Sequence, residues 1–158
     1  MTISRDERVA DLADTLRKMT EDVGESAVWR VDISVDSERY RQVRATTWKE
    51  LLDRGLIKWF CRDTYQLTEF GWGKGIQLLE LDKDPVFRGK LSKLSATLKD
   101  QVKGRHEEGY LDVYHAAQLS GLPEDLIFNI IESRILEHSF NMNGARLDSD
   151  NTIVIPIV

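Results

Sequence analysis

The sequence predicts an α+β chain, mainly helical, built as two small domains that are each a helical bundle with a β-hairpin. Three observations carry this. Apolar residues recur at helical spacing, most regularly at Phe87, Leu91, Leu94, Leu98 and Val102. Short β-branched and aromatic runs flank turn residues, as in 56–60 and 65–67 around Arg62 and Asp63. The order helix, strand, helical region, hairpin occurs on both sides of Asp82-Lys83-Asp84-Pro85, which puts the domains at 1–84 and 85–158.

Each element has a local reason. Ser4 and Glu7 form a capping box ahead of Val9, Leu12, Ala13, Leu16 and Met19, so a helix is expected over about 5–22. Trp29, Val31, Ile33 and Val35 alternate with polar residues and predict a half-buried strand. Residues 38–54 admit two readings. Tyr40, Val43, Thr47 and Leu51 support one long helix, whereas Thr46-Thr47 would break it and let Thr47 cap a second, with Glu50 closing the box. Gly55 ends the segment either way. A hairpin follows over 56–67, then a helix to about Leu81 capped by Thr68, with Glu69 at its positive end. That helix holds Gly71, Gly73 and Gly75, whose smallness points to close packing.

Pro85 suits the first position of a helix over 86–103. Its apolar stripe must be covered, by packing between domains or against a second copy; its lysines are either solvated or set against phosphate. Beyond the break at 104–109 come a strand over 110–113, a short helix over 114–119 and a turn at Ser120-Gly121-Leu122. A helix opened by Pro123 follows, burying Leu126, Ile127, Ile130, Ile131 and Ile135. Strands at 146–148 and 152–157 close the second domain, with Pro156 at a strand end. Trp29, Trp48, Trp59 and Trp72 are expected as core or interface anchors.

The chain has 158 residues and a net charge of −5, which excludes a wholly basic nucleic-acid coat. The charge is uneven. Residues 37–62 hold seven basic side chains against three acidic, 86–106 hold six against one, and 107–158 hold two against nine. No apolar run approaches the roughly 20 residues of a membrane span. The N-terminal residues lack a signal core, and the lone Cys61 fits a reducing cytosol, so a cytoplasmic location is expected.

The segment ELLDRGLIKWFCRDTYQLTEFG, residues 50–71, resembles the winged-helix domains of MarR- and PadR-type bacterial regulators. The matching positions are Leu51, Leu52, Gly55, Leu56 and Ile57, then Tyr65, Leu67, Thr68 and Gly71. The pattern spans about one-seventh of the chain and speaks more to fold than to ligand. The second half, from DVYHAAQLSGL to NTIVIPI, is similar in order. The resemblance implies a DNA-binding transcriptional regulator, dimeric in that family, that contacts double-stranded DNA through its first domain. Arg39, Arg41, Arg44, Lys49, Arg54, Lys58 and Arg62 would then meet phosphate, with Thr46, Thr47 or Gln42 near base edges. The same cations can instead pair with Glu38, Glu50 and Asp53 on a solvated helix.

An alternative is a tandem winged-helix adaptor for protein. In tandem arrangement, size and acidity the chain is similar to the kleisin-interacting subunits of chromosome-organising complexes. That reading expects an exposed apolar patch at Phe128 or Phe140, since the helix around Glu124, Asp125 and Glu132 is too acidic for a DNA groove.

No catalytic constellation is evident. His106, His115, His138 and Cys61 lack metal-ligand spacing, and His115 is expected to be partly buried. Gly71-x-Gly73-x-Gly75 matches neither phosphate-loop fingerprint. No cofactor, metal or membrane partner is expected.

Overall fold

The structure is a computed structural model that describes residues 3–24, 33–136 and 140–157. It is α+β and mainly helical, with two separate three-stranded antiparallel sheets. The chain divides into two compact units between Glu80 and Leu81, so the short 3-10 turn Leu81–Lys83 and the Asp84 cap stay with the second.

In the first unit, helix α1 (Arg5–Gly24) begins where the Ser4 hydroxyl accepts the Glu7 N–H at 3.1 Å. Only its second half is core. Leu16 and Met19 are fully buried, but Val9 is exposed and Leu12 and Ala13 are half-buried. Strand β1 is Ile33–Ser34; the predicted residues Trp29 and Val31 lie outside the described residues.

The long helix over 38–54 does not form. Residues 37–43 make successive i→i+3 turns, and Arg44 is extended with ψ 148°. The reason is Tyr40. It is buried, its hydroxyl donates to the Asp22 carboxylate at the end of α1, and Arg39 meets the same carboxylate at 2.9 Å. Burial and the neighbouring carboxylate both push the Tyr40 phenol pKa upward. These ties hold the segment in turns. Helix α2 is therefore Ala45–Asp53, and its N-cap is Arg44, with no side-chain cap bond, rather than Thr47. Thr47 is inside the helix and buried.

Gly55 ends α2 at φ +71°, a left-handed conformation costly for any residue with a Cβ. Strands β2 (Ile57–Cys61) and β3 (Thr64–Leu67) form a hairpin around Arg62 and Asp63, and the sheet order is β1-β3-β2. Thr68 caps helix α3 (Glu69–Leu78) by accepting the Gly71 N–H at 3.1 Å, and donates to the Gly55 carbonyl. It thus joins the hairpin's exit to the turn after α2. Thr68→Ala should cost the first unit about 1–2 kcal/mol in thermal or urea unfolding, and Thr68→Ser much less. Trp72 of α3 is 1% exposed. Gly71 and Gly75 sit where an added Cβ would fall 2.0 Å from the Leu56 carbonyl oxygen and 1.9 Å from Thr20 Oγ1. Gly73 faces open space, so close packing explains two of the three glycines.

The second unit runs helix, strand, two helices and a hairpin, with no counterpart of α3. Asp84 caps helix α4 (Pro85–Asp100) by accepting the Phe87 N–H at 3.1 Å, and Pro85 opens it. Its stripe of Phe87, Leu91, Leu94, Leu98 and Val102 is buried, and α4 packs on helix α5 (Val113–Ser120) of the same unit. Strand β4 (Gly109–Asp112) precedes α5, and Gly121 ends α5 at φ +78°. Helix α6 (Glu124–Ser133) stops at Arg134, which is left-handed, so Ile135 lies past its end and is half-buried. Strands β5 (Arg146–Leu147) and β6 (Thr152–Ile155) complete a sheet of order β4-β6-β5. Asp148 shapes their turn by accepting the Asp150 and Thr152 N–H groups at 2.9 Å each.

Candidate functional site

Helix α2 is where the resemblance would put DNA contact. An open groove of about 1160 Å³ runs along it, lined by Arg8, Arg44, Thr46, Lys49, Glu50 and Arg54 among others. The groove is not a free cationic surface. Arg44 pairs with Asp11 at 2.8 Å and reaches Glu7 at 4.0 Å. Arg54 and Arg8 share Glu50 Oε1, at 3.1 and 3.0 Å. These two bonds hold the Glu50 carboxyl below its usual pKa, the Arg8 bond foremost. Arg39 is turned toward Asp22 and Glu21. Thr47 is 4% exposed and cannot meet a base edge, whereas Thr46 is exposed. The acidic partners are mainly on α1, not at Glu38 or Asp53. Only Arg54–Glu50 follows the four-residue spacing within α2.

The remaining cations are Arg41, Lys49, Lys58 and Arg62. All are exposed and have no ion-pair partner among the described residues. Lys58 and Arg62 lie on the hairpin with two aromatic side chains, Trp59 and Phe60, which are 62% and 47% exposed. Trp59, expected as a core or interface anchor, is exposed and follows a row of aromatic rings that starts inside. Tyr40 and Trp48 centroids lie 6.0 Å apart, Trp48 stacks on Tyr65 at 5.3 Å, and Tyr65 sits opposite Trp59 in the β2–β3 register. Trp59 Nε1 donates to the Arg62 carbonyl at 2.8 Å, which helps hold Arg62 at φ +48°. Strand β2 is an edge of its sheet, so one side of its backbone is unpaired there. The strand alternation in the sequence could not show this exposure, because it gives the face of a residue but not whether another element covers that face.

In the second unit, α6 keeps its acidic character, but Glu124 is buried at 8% exposure rather than outward. Phe128 and Phe140 are half-buried and form no exposed apolar patch, and the Arg88 guanidinium lies 5.2 Å from the Phe140 ring centroid. The α4 stripe, a candidate dimer surface by its pattern, is covered within its own unit. His115 is exposed instead of partly buried, and its ring pairs with Asp112 at 2.7 Å. Asp112 also accepts the His115 backbone N–H, which lowers the Asp112 pKa.

Burial raises the Glu124 carboxyl pKa, with the Asp112 charge adding to it. The folded state therefore holds this proton more tightly than the unfolded chain, so its contribution to stability falls as pH rises through the raised pKa. Glu124→Gln should raise the melting temperature of the second unit by a few degrees at pH 7. The gain should vanish below the unfolded glutamate pKa, about 4.3. A melting series between pH 3.5 and 7.5 checks this.

Among the described residues, no three His, Cys, Asp or Glu side chains are placed to hold a metal ion. His138 lies outside them. Cys61 is a free, exposed thiol at the end of β2. No described helix is long and apolar enough to cross a membrane. No protein-family model, curated protein or solved structure matches the chain.

Proposed function

We propose that the chain is a non-enzymatic protein-interaction adaptor made of two winged-helix-like units. Its main docking element is then the β2–β3 hairpin of the first unit. The fold reading is supported by the order helix, strand, helix, hairpin in both units, the second with a further helix where the first has turns, and by sheet orders β1-β3-β2 and β4-β6-β5. In both sheets the first strand pairs with the last strand of the hairpin.

The observation that carries the functional reading is the pairing of the α2-side cations. Arg39, Arg44 and Arg54 are engaged by Asp22, Asp11 and Glu50, so the surface offers phosphate little net charge. The hairpin meanwhile exposes Trp59 and Phe60 between Lys58 and Arg62 on an edge strand. Exposed aromatics with cations on a rigid edge suit a protein segment that has an apolar anchor and an acidic flank.

A photocrosslinking residue at position 60 should capture a discrete protein adduct in cells. The adduct should be lost with Trp59→Ala and absent when the crosslinker is at Gln118. Recovery of nucleic acid alone from position 60 would overturn the reading.

A DNA-binding regulator, dimeric and acting through the first unit, is the second reading. It is favoured by the unpaired Arg41, Lys49, Lys58 and Arg62 and by the exposed Thr46. The two readings part on the acidic residues of α1. If α1 masks α2, Glu7→Gln with Asp11→Asn and Glu50→Gln frees Arg8, Arg44 and Arg54. Duplex affinity should then rise about tenfold at 50 mM salt, as expected for roughly one or two added phosphate contacts. A regulator that already uses this face would show no such gain in fluorescence anisotropy.

A further inference from the structure

The most continuous unpaired cationic surface lies on α4 of the second unit. Its inner side is fixed, since Leu91, Leu94 and Leu98 are fully buried. Its outer side carries Lys93, Lys99 and, just past the helix end, Lys103 and Arg105, while Lys90 is half-buried with its stem over Gly121. None of these has an ion-pair partner among the described residues. Asp100 is the one acidic residue in 86–106.

At about 100° per residue Lys93 and Lys99 flank the outer face with Ala96 between them, whereas Lys90 is turned to the side opposite Lys99. From Lys93 to Lys99 the helical rise is about 9 Å, at 1.5 Å per residue, which is close to three phosphate steps along one strand at about 3.4 Å each. Lysine ammonium groups are point charges without the planar fork that reads a guanine edge. The exposed side between them offers Gly89, Ser92, Ala96 and the single carboxylate Asp100, and so no aromatic to stack on an unpaired base.

We infer that α4 binds the phosphate backbone of double-stranded nucleic acid without reading its sequence. The inference concerns the second unit alone, and its failure would leave the hairpin reading of the first unit standing. An adaptor with both surfaces would tether a protein partner to nucleic acid.

The test is fluorescence anisotropy of the full chain with a random-sequence 20-base-pair duplex from 50 to 200 mM KCl. With about four phosphates engaged, affinity should fall roughly 100-fold across this range. Lys93→Glu with Lys99→Glu and Lys103→Glu should weaken binding at 50 mM salt at least 30-fold. The milder Lys→Gln set should weaken it by less, with unchanged melting in both. Trp59→Ala and the charge reversals Lys49→Glu, Lys58→Glu and Arg62→Glu should alter it less than threefold. Several results would overturn the proposal: no binding at 50 mM salt, binding insensitive to the α4 reversals, or loss caused by the first-unit reversals instead. Poly-glutamate bound as tightly as the duplex would also overturn it, in favour of an acidic protein.

Discussion

Trp72→Ala should remove about 4 kcal/mol from the first unit and leave the second folded. Trp72 is 1% exposed and sits on α3, the helix that packs against α1. Truncating a buried tryptophan strips its transfer free energy and leaves a cavity that the neighbouring helices close only in part, about 3–5 kcal/mol in comparable sites. A domain this size has only about 5–15 kcal/mol in total. Calorimetry should therefore show the first unit's transition lowered by roughly 15 °C or more, since 1 kcal/mol moves a small domain by about 4–8 °C. The transition of the second unit should stay in place. A common shift of both transitions would mean that the two units melt as one.

The glycines of α3 should respond in opposite directions. At Gly71 a Cβ would fall 2.0 Å from the Leu56 carbonyl oxygen, which is backbone and accepts the Thr68 N–H at 3.1 Å. Gly71→Ala must push the hairpin away from α3, at a cost of about 3 kcal/mol or more. Gly75 meets a side chain, Thr20, whose hydroxyl donates to the Leu16 carbonyl at 2.7 Å. Gly75→Ala should therefore be costly alone but partly rescued by Thr20→Ala, a coupling that a double-mutant cycle in urea would read. Gly73 has open space around its Cβ position, so Gly73→Ala should stabilise by up to about 1 kcal/mol through helix propensity. Equal effects at 71 and 73 would refute the packing account.

Near-neighbour chemistry was legible in the sequence. The caps at Ser4 and Thr68, the Pro85 helix start and the stripe from Phe87 to Leu98 depend on residues close in sequence, and the structure contains all of them. The segment 38–54 misled because its apolar spacing suits a helix. The decisive bond, Tyr40 to Asp22, spans 18 residues. The ion pairs of the α2-side cations were hidden for the same reason. Arg44 lies 33 residues from Asp11, and Arg8 lies 42 from Glu50. Charge counts along 37–62 omit α1, whose acids neutralise the cations in question. Trp59 was read as a core or interface anchor by residue type, and among the described residues it is exposed on the outer strand of its sheet. On α6, Glu124 was read as outward, but it is buried at the first position of its helix, after Pro123.

The central claim is that pairing with α1 and within α2 leaves the first unit unable to read a base sequence. Selection from a random duplex pool, followed by sequencing of the bound fraction, tests it most directly. The account predicts that the full chain retains duplexes at low salt without enriching any motif. Enrichment of a defined motif, abolished by Thr46→Ala or Lys49→Ala, would contradict it.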